Sequence, residues 1–265
     1  MTESNRKRIG DFCWTELATT DTDKAKKFYG EVLGWTFEDL MMGPDMPYIM
    51  IRVDGHENGA MYTLMEEQRK HNIPSHWLTY VLVKDTDATI KKAEELGGTK
   101  MMGPHDVPEK GRMAILQDNT KATFAVWEAK GQAGVVVPQN LHGAFCWSEL
   151  NTDNTEIAGK FYTELFNWKL KADSGPSELR YTELINDQRA IGGMMAIKKE
   201  WGPVPPHWNN YFTVDDCDVT AKKAETAGAK TLVPPTTIEN VGRFAVLEDP
   251  TGGQFSIIKL TGPSR

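Results

Sequence analysis

FCWTELATTDTDKAKKFY, residues 12–29, returns as FCWSELNTDNTEIAGKFY at residues 145–162. Trp14 is matched by Trp147, Glu16 by Glu149 and Phe28-Tyr29 by Phe161-Tyr162, all at an offset of 133. Further along, Pro74-Ser75-His76-Trp77 returns as Pro205-Pro206-His207-Trp208 at an offset of 131, so two residues are lost between the echoes. A 265-residue chain carrying this repeat is a duplicated domain. Each copy has about 120 residues, enough to bury a core without metal or disulfide help.

Within the stretch, period two places Phe12, Trp14 and Glu16 on one face of a strand and Cys13, Thr15 and Leu17 on the other. Asp21 then caps a helix whose apolar stripe is Ala25, Phe28, Tyr29, Val32 and Leu33, with Gly34 as a left-handed stop. Copy two repeats this with Asn154 as cap, Ala158, Phe161, Tyr162, Leu165 and Phe166 as stripe, and Asn167 as stop. Three strands are expected next, over 35–40, 48–53 and 59–64, with turns at Gly43-Pro44 and Asp54-Gly55. After a charged loop over 66–72 the pattern restarts. A strand over 76–83 leads to a helix capped by Asp87, with Ile90, Ala93 and Leu96 inward and Gly97 at its end. Strands over 99–102, 112–117 and 122–128 follow. Each half is therefore two βαβββ units, an α+β class. The domains are expected at 8–130 and 142–262, and the Val135-Val136-Val137 run should hold the 131–141 linker against one of them. Residues 261–265 are expected to fray.

A net charge of −7 with interspersed acids and bases argues against nucleic acid or an anionic membrane as partner. No apolar run is long enough for a signal peptide or a bilayer span. Three cysteines, two of them at equivalent positions, suit buried thiols in a reducing cytoplasm rather than a disulfide framework. The expected partner is a small molecule, and the expected state is a monomer or homodimer.

Asp21-x3-Ala25-x2-Phe28-Tyr29-x3-Leu33-Gly34-Trp35, the Val83-Lys84-Asp85-Thr86-Asp87 start of the second unit with Leu96-Gly97-Gly98, and Asp249-Pro250-Thr251-Gly252-Gly253 together resemble the vicinal-oxygen-chelate superfamily of glyoxalases, bleomycin-resistance proteins and dioxygenases. Asp118-Asn119-Thr120-Lys121 is the looser counterpart of that last turn. The resemblance implies a curved eight-stranded sheet around a cavity in each half. It also implies a divalent metal held by His, Gln or Glu at six positions, which here carry Trp14, Trp147, Leu78, Asn209, Ala125 and Ser256. That set lacks the donors a divalent cation needs. No metal or other cofactor is expected, with a relocated Glu/His metal site as the alternative.

Glu16 and Glu149 are the candidate catalytic residues. A carboxylate beside an indole on a sheet face would have a raised pKa and act as general base, or as an anchor for ligand N–H groups. The other reading is a carboxylate paired with a buried Arg or capping a loop. Trp14 and Trp147 are candidate stacking walls, or core filling where a metal would sit. His76 and His207 are candidate ligand donors, or local plugs bonded to nearby carbonyls. Tyr80, Tyr211, Asn209 and Ser256 complete the expected lining, with Tyr48, Tyr62, Arg52, Tyr181 and Arg180 as weaker strand candidates. Gly192 to Met195 reads as a strand with close backbone approach rather than a phosphate loop. Three functions remain open: a small-molecule binder with metal-poor cavities, a glyoxalase-like lyase or dioxygenase/hydroxylase, and a structural protein with filled cavities. The second copy is expected to be the more polar site.

Overall fold

The computed structural model describes residues 7–41, 47–131, 133–135, 137–172 and 181–262. The expected Gly43-Pro44 turn, Val136, Arg180 and residues 263–265 lie outside them. The first half runs β1 (Phe12–Thr19), α1 (Thr22–Leu33), β2 (Thr36–Met41), β3 (Pro47–Val53), β4 (His56–Thr63), α2 (Glu66–Lys70), β5 (His76–Leu82), α3 (Thr86–Glu95), β6 (Thr99–Val107), β7 (Gly111–Gln117) and β8 (Thr123–Ala129). The second runs β9 (Phe145–Thr152), α4 (Thr155–Phe166), β10 (Lys169–Ala172), β11 (Thr182–Asn186), β12 (Arg189–Ala196), β13 (His207–Thr213), α5 (Cys217–Thr226), β14 (Lys230–Ile238), β15 (Gly242–Glu248) and β16 (Gln254–Leu260). The strands form two eight-stranded sheets, ordered β2-β3-β4-β1-β5-β8-β7-β6 and β10-β11-β12-β9-β13-β16-β15-β14. This is the expected α+β architecture.

The helix caps follow side-chain chemistry. Asp21 accepts from the Lys24 amide at 2.9 Å and Asn154 from the Ile157 amide at 3.0 Å, each closing an orphan N–H of the first turn. Gly34 and Asn167 end their helices in the left-handed conformation, at φ 68° and 60°. The cap expected at Asp87 is corrected. Asp85 holds that place, accepting from the Ala88 amide at 2.8 Å, while Asp87 lies in the first turn and takes the Arg112 guanidinium at 2.9 Å. The charged 66–72 loop is also corrected, because residues 66–70 form α2 with Gln68 Oε1 accepting the Met65 amide at 2.9 Å.

Tertiary packing divides the chain differently from the repeat. One compact unit comprises Met1–Trp14, Thr79–Gly134 and Trp147–Asn209; the other comprises Thr15–Leu78, Val135–Cys146 and Asn210–Arg265. Each unit therefore draws on both sequence copies. In the second unit the Val135 and Val137 side chains of the linker are buried, at 1% and 7% exposure. The Gly143 carbonyl there accepts from Trp35 Nε1 at 2.8 Å. The first unit holds the counterpart, where Trp168 Nε1 donates to the Gly10 carbonyl at 2.8 Å.

The most recognisable repeated residues form the centre of each unit. Tyr29 donates to Asp249 Oδ2 at 2.8 Å and accepts from Trp77 Nε1 at 3.1 Å. Its ring stacks on Trp35 at 4.8 Å. In the other unit Tyr162 donates to Asp118 Oδ2 at 2.8 Å, accepts from Trp208 Nε1 at 3.0 Å and stacks on Trp168 at 5.7 Å. The second carboxylate oxygen of each Asp is used up by its own turn. Asp249 Oδ1 takes the Thr251 and Gly253 amides, and Asp118 Oδ1 takes those of Thr120 and Ala122. A buried carboxylate is tolerable only when its lone pairs are filled in this way. Burial, reinforced by the neighbouring carboxylate, pushes both tyrosine hydroxyls well above their ordinary pKa.

Candidate functional site

Once the Trp–Tyr–Asp chains are set aside as scaffold, the charged residues on the first strand of each copy are Glu16 and Glu149. Strand alternation puts each two positions after its tryptophan, and both are nearly buried, at 8% and 7% exposure. In copy one the Tyr48 hydroxyl of β3 donates to Glu16 Oε1. Tyr62 of β4 sits directly across from Tyr48 and in register with Ala18 of β1. Burial, followed by the charge of Glu16, pushes Tyr62 up to about 12, against an opposing hydrogen bond from Gln68.

Copy two builds the same pair with different neighbours, all on one compact unit. Tyr181, the counterpart of Tyr48, accepts from Trp147 Nε1 at 2.9 Å. Its hydroxyl also bonds Glu149, and burial followed by that carboxylate's charge raises it well above the ordinary phenol value. Asn151 Nδ2 approaches Glu149 Oε1 at 3.5 Å. Trp147, Glu149 and Asn151 are alternate residues of β9, so one strand face carries indole, carboxylate and amide in line. The hydroxyl of Tyr181 lies over β12, where a Cβ on Gly193 would collide with it. Gly193 is in register with Glu149, and copy one has Ala60 in register with Glu16. The missing side chain gives Tyr181 room to reach both partners. The expectation of close backbone approach in the Gly192–Met195 strand is met here. A Cβ on Gly192 would likewise fall 2.7 Å from the Ser148 carbonyl and the Phe12 ring.

The remaining expected residues are placed as follows. His76 and His207 open β5 and β13, each with Nδ1 on a carbonyl two residues back, Pro74 at 2.8 Å and Pro205 at 2.9 Å. A carbonyl only accepts, so Nδ1 carries the proton in both. Burial lowers the His207 pKa, with the Pro205 bond working weakly the other way. Tyr80 is buried in register with Ala125, and Tyr211 in register with a fully buried Ser256. The Tyr211 ring also lies 6.3 Å from Phe244. Asn209 is buried on β13 and Trp14 half-buried on β1.

The structure thus links Trp147 with Glu149 through Tyr181, and Tyr211 with Ser256 through strand pairing. Sequence reasoning passed over Asn151, read Gly193 only as part of a closely packed strand, and left Tyr48 and Tyr181 among the weak candidates. The 133-residue offset that relates Glu16 to Glu149 also relates those two tyrosines, and that was the available signal. Gly193 and Asn151 differ between copies, so the repeat gave none.

The six positions at which the resemblance implies metal donors carry no His, Cys, Asp or Glu. Among the described residues no three His, Cys, Asp or Glu side chains cluster closely enough to hold a metal ion. A 260 Å³ surface groove lined by Lys24, Lys27, Phe28, Glu31, Thr226, Ala227 and Pro250 contains none of the site residues. Among the described residues no helix is long and apolar enough to cross a membrane.

A family model described as the Glyoxalase/Bleomycin resistance protein/Dioxygenase superfamily matches residues 12–126 and 145–257. The chain is 35% identical over 260 residues to "Putative glyoxylase CFP32" of Mycobacterium tuberculosis, covering 98% of each. It is 30% identical over 257 residues to "Anthracycline biosynthesis protein DauV" of Streptomyces sp., covering 93% of this chain and 92% of the relative. Among solved structures, the Mn(II)-bound glyoxalase from Novosphingobium aromaticivorans superposes with a TM-score of 0.64 at 16% identity, over 95% of this chain and 82% of that one. That likeness is one of fold.

Proposed function

Because this chain belongs to the Glyoxalase/Bleomycin resistance protein/Dioxygenase superfamily, we propose that it binds a flat, conjugated small molecule on the sheet face bearing the Glu–Tyr pair, without a metal. The observation that carries the reading is the pair itself. A nearly buried carboxylate bonded by a tyrosine recurs in both copies, and the Trp–Tyr–Asp scaffold does not use it. Trp147, its N–H held by Tyr181, offers an indole face for stacking, and Glu149 offers acceptor lone pairs for ligand O–H or N–H groups. A relative named for anthracycline biosynthesis supports an aromatic ligand.

A second reading is favoured by the same bond. A carboxylate oriented by a tyrosine hydroxyl is arranged as a general base is, so a lyase or hydroxylase step on the bound molecule would use Glu149 or Glu16 to take a proton. Cytoplasmic residence and small-molecule partnership belong to this proposal as well.

Titration of metal-stripped protein with 2-naphthalenemethanol, followed by tryptophan fluorescence, tests the binding reading. A dissociation constant between about 10 μM and 1 mM is expected for a ligand of this size. Trp147→Ala and Glu149→Gln should each weaken it about tenfold, the loss of one stacking or hydrogen-bonding contact. Saturable binding left unchanged by both substitutions would place the ligand elsewhere and overturn the reading.

A further inference from the structure

Copies one and two match at Glu16/Glu149 and Tyr48/Tyr181 but diverge at the neighbouring pair of positions. Copy one has Ala18 on β1 beside Tyr62 on β4. Copy two has Asn151 on β9 beside Met195 on β12. The polar group has therefore moved one strand over, from a tyrosine hydroxyl that Gln68 bonds to a side-chain amide. Asn151 is 4% exposed, and its Oδ1 is buried with no hydrogen-bond partner. The amide orientation follows from its other end, because Glu149 Oε1 only accepts and so faces Nδ2. A buried acceptor left unfilled is destabilising, a cost that a ligand donor or a trapped water would remove.

A donor entering here meets two acceptors, the Asn151 amide oxygen and the Glu149 carboxylate. A hydroxyl has one proton to give. An ammonium has three, carries the charge complementary to the carboxylate, and forms the stronger charge-assisted bonds. We propose that Asn151 is a specificity-determining residue of the second site, its amide oxygen acting with Glu149 to select aromatic ligands bearing an amine. This rests on the binding function proposed above and adds the ligand class for copy two. The first site has no acceptor at the equivalent position and does not share the preference.

Calorimetric titration of the full chain with 2-(aminomethyl)naphthalene and with 2-naphthalenemethanol separates the possibilities. The wild-type protein should bind the amine at least about tenfold more tightly than the alcohol, the worth of one buried charge-assisted hydrogen bond. Asn151→Ala, which places in copy two the residue type found at Ala18, should reduce that preference about tenfold. Asn151→Asp keeps the side-chain shape and should increase it, which guards against an alanine variant that fails to fold. Binding of both probes with the preference unchanged in both variants would overturn the assignment while leaving the binding function standing. A lowered melting temperature in Asn151→Ala with neither affinity altered would mark a trapped water as the partner and overturn it equally. Failure of both probes to bind the wild type would overturn the binding function and this inference together.

Discussion

Tyr29 and Tyr162 show why a repeated polar residue need not be a functional one. Each hydroxyl joins an indole N–H to an aspartate that is itself spent on its own turn. Tyr29→Phe removes both bonds and leaves the Trp77 N–H and one Asp249 oxygen buried without partners. Its expected cost is about 2 kcal/mol in urea unfolding, and Tyr162→Phe should cost a similar amount in the other unit. A loss under about 0.5 kcal/mol for either, the range of a surface substitution, would show that the chain contributes nothing. His207 supplies a pH signature. Its folded pKa is depressed by burial below the unfolded value of about 6.5. The unfolded chain therefore holds more protons between those two values, and stability rises with pH across that window. The stabilisation is complete above the unfolded value and is lost as pH falls through the folded one. Melting temperatures from pH 7.5 down to 5 should drop further for the wild type than for His207→Gln. Parallel curves would contradict the depressed pKa.

At the scale of single elements, local chemistry made most of the fold readable. Alternation gave β1 and β9, the three-and-four spacing gave α1 and α4, and Asp21, Asn154, Gly34 and Asn167 marked the ends of those helices. The error at α3 has a physical source. Asp85 and Asp87 are both plausible caps, and only the observed bond from Asp85 to the Ala88 amide decides between them. Asp85→Ala should accordingly cost about 1 kcal/mol, whereas Asp87→Ala removes an exposed pair with Arg112 and should cost about half that or less. Equal losses in thermal unfolding would reverse the correction. The candidate site was legible only in part. Glu16, Glu149 and the tryptophans follow from the repeat and from strand alternation. The tyrosines that hold the carboxylates come from β3 and from the residue just before β11, and their reach depends on cross-strand register and on the empty space over Gly193. Neither is written in any local pattern.

At the scale of the whole molecule, repeat and packing are two different divisions of the chain. The repeat divides it at the linker, and each compact unit is assembled from both copies. Side chains explain it: Tyr29 finds its aspartate 220 residues away, and Trp168 finds its carbonyl at Gly10. Hydrogen exchange should therefore group α1 with β15 and β16, and α4 with β7 and β8, as jointly protected sets. Protection that instead followed residues 8–130 and 142–262 as two blocks would contradict the interleaved packing. Burial of the three thiols offers a second global check. Cys13 and Cys146 are pushed up to about 12 and Cys217 to about 11 by desolvation. None should react with a disulfide reagent at pH 8 until the chain is unfolded.

The functional account depends on the sheet residues themselves holding the ligand where relatives in the superfamily use a metal. The most direct test is the affinity of EDTA-treated protein for 2-naphthalenemethanol, measured before and after addition of one equivalent of Mn(II) or Zn(II). The account predicts saturable binding in the stripped protein and a dissociation constant that either metal leaves within about twofold, below the scale of a single hydrogen bond. Binding that appears only when the metal is restored would contradict it.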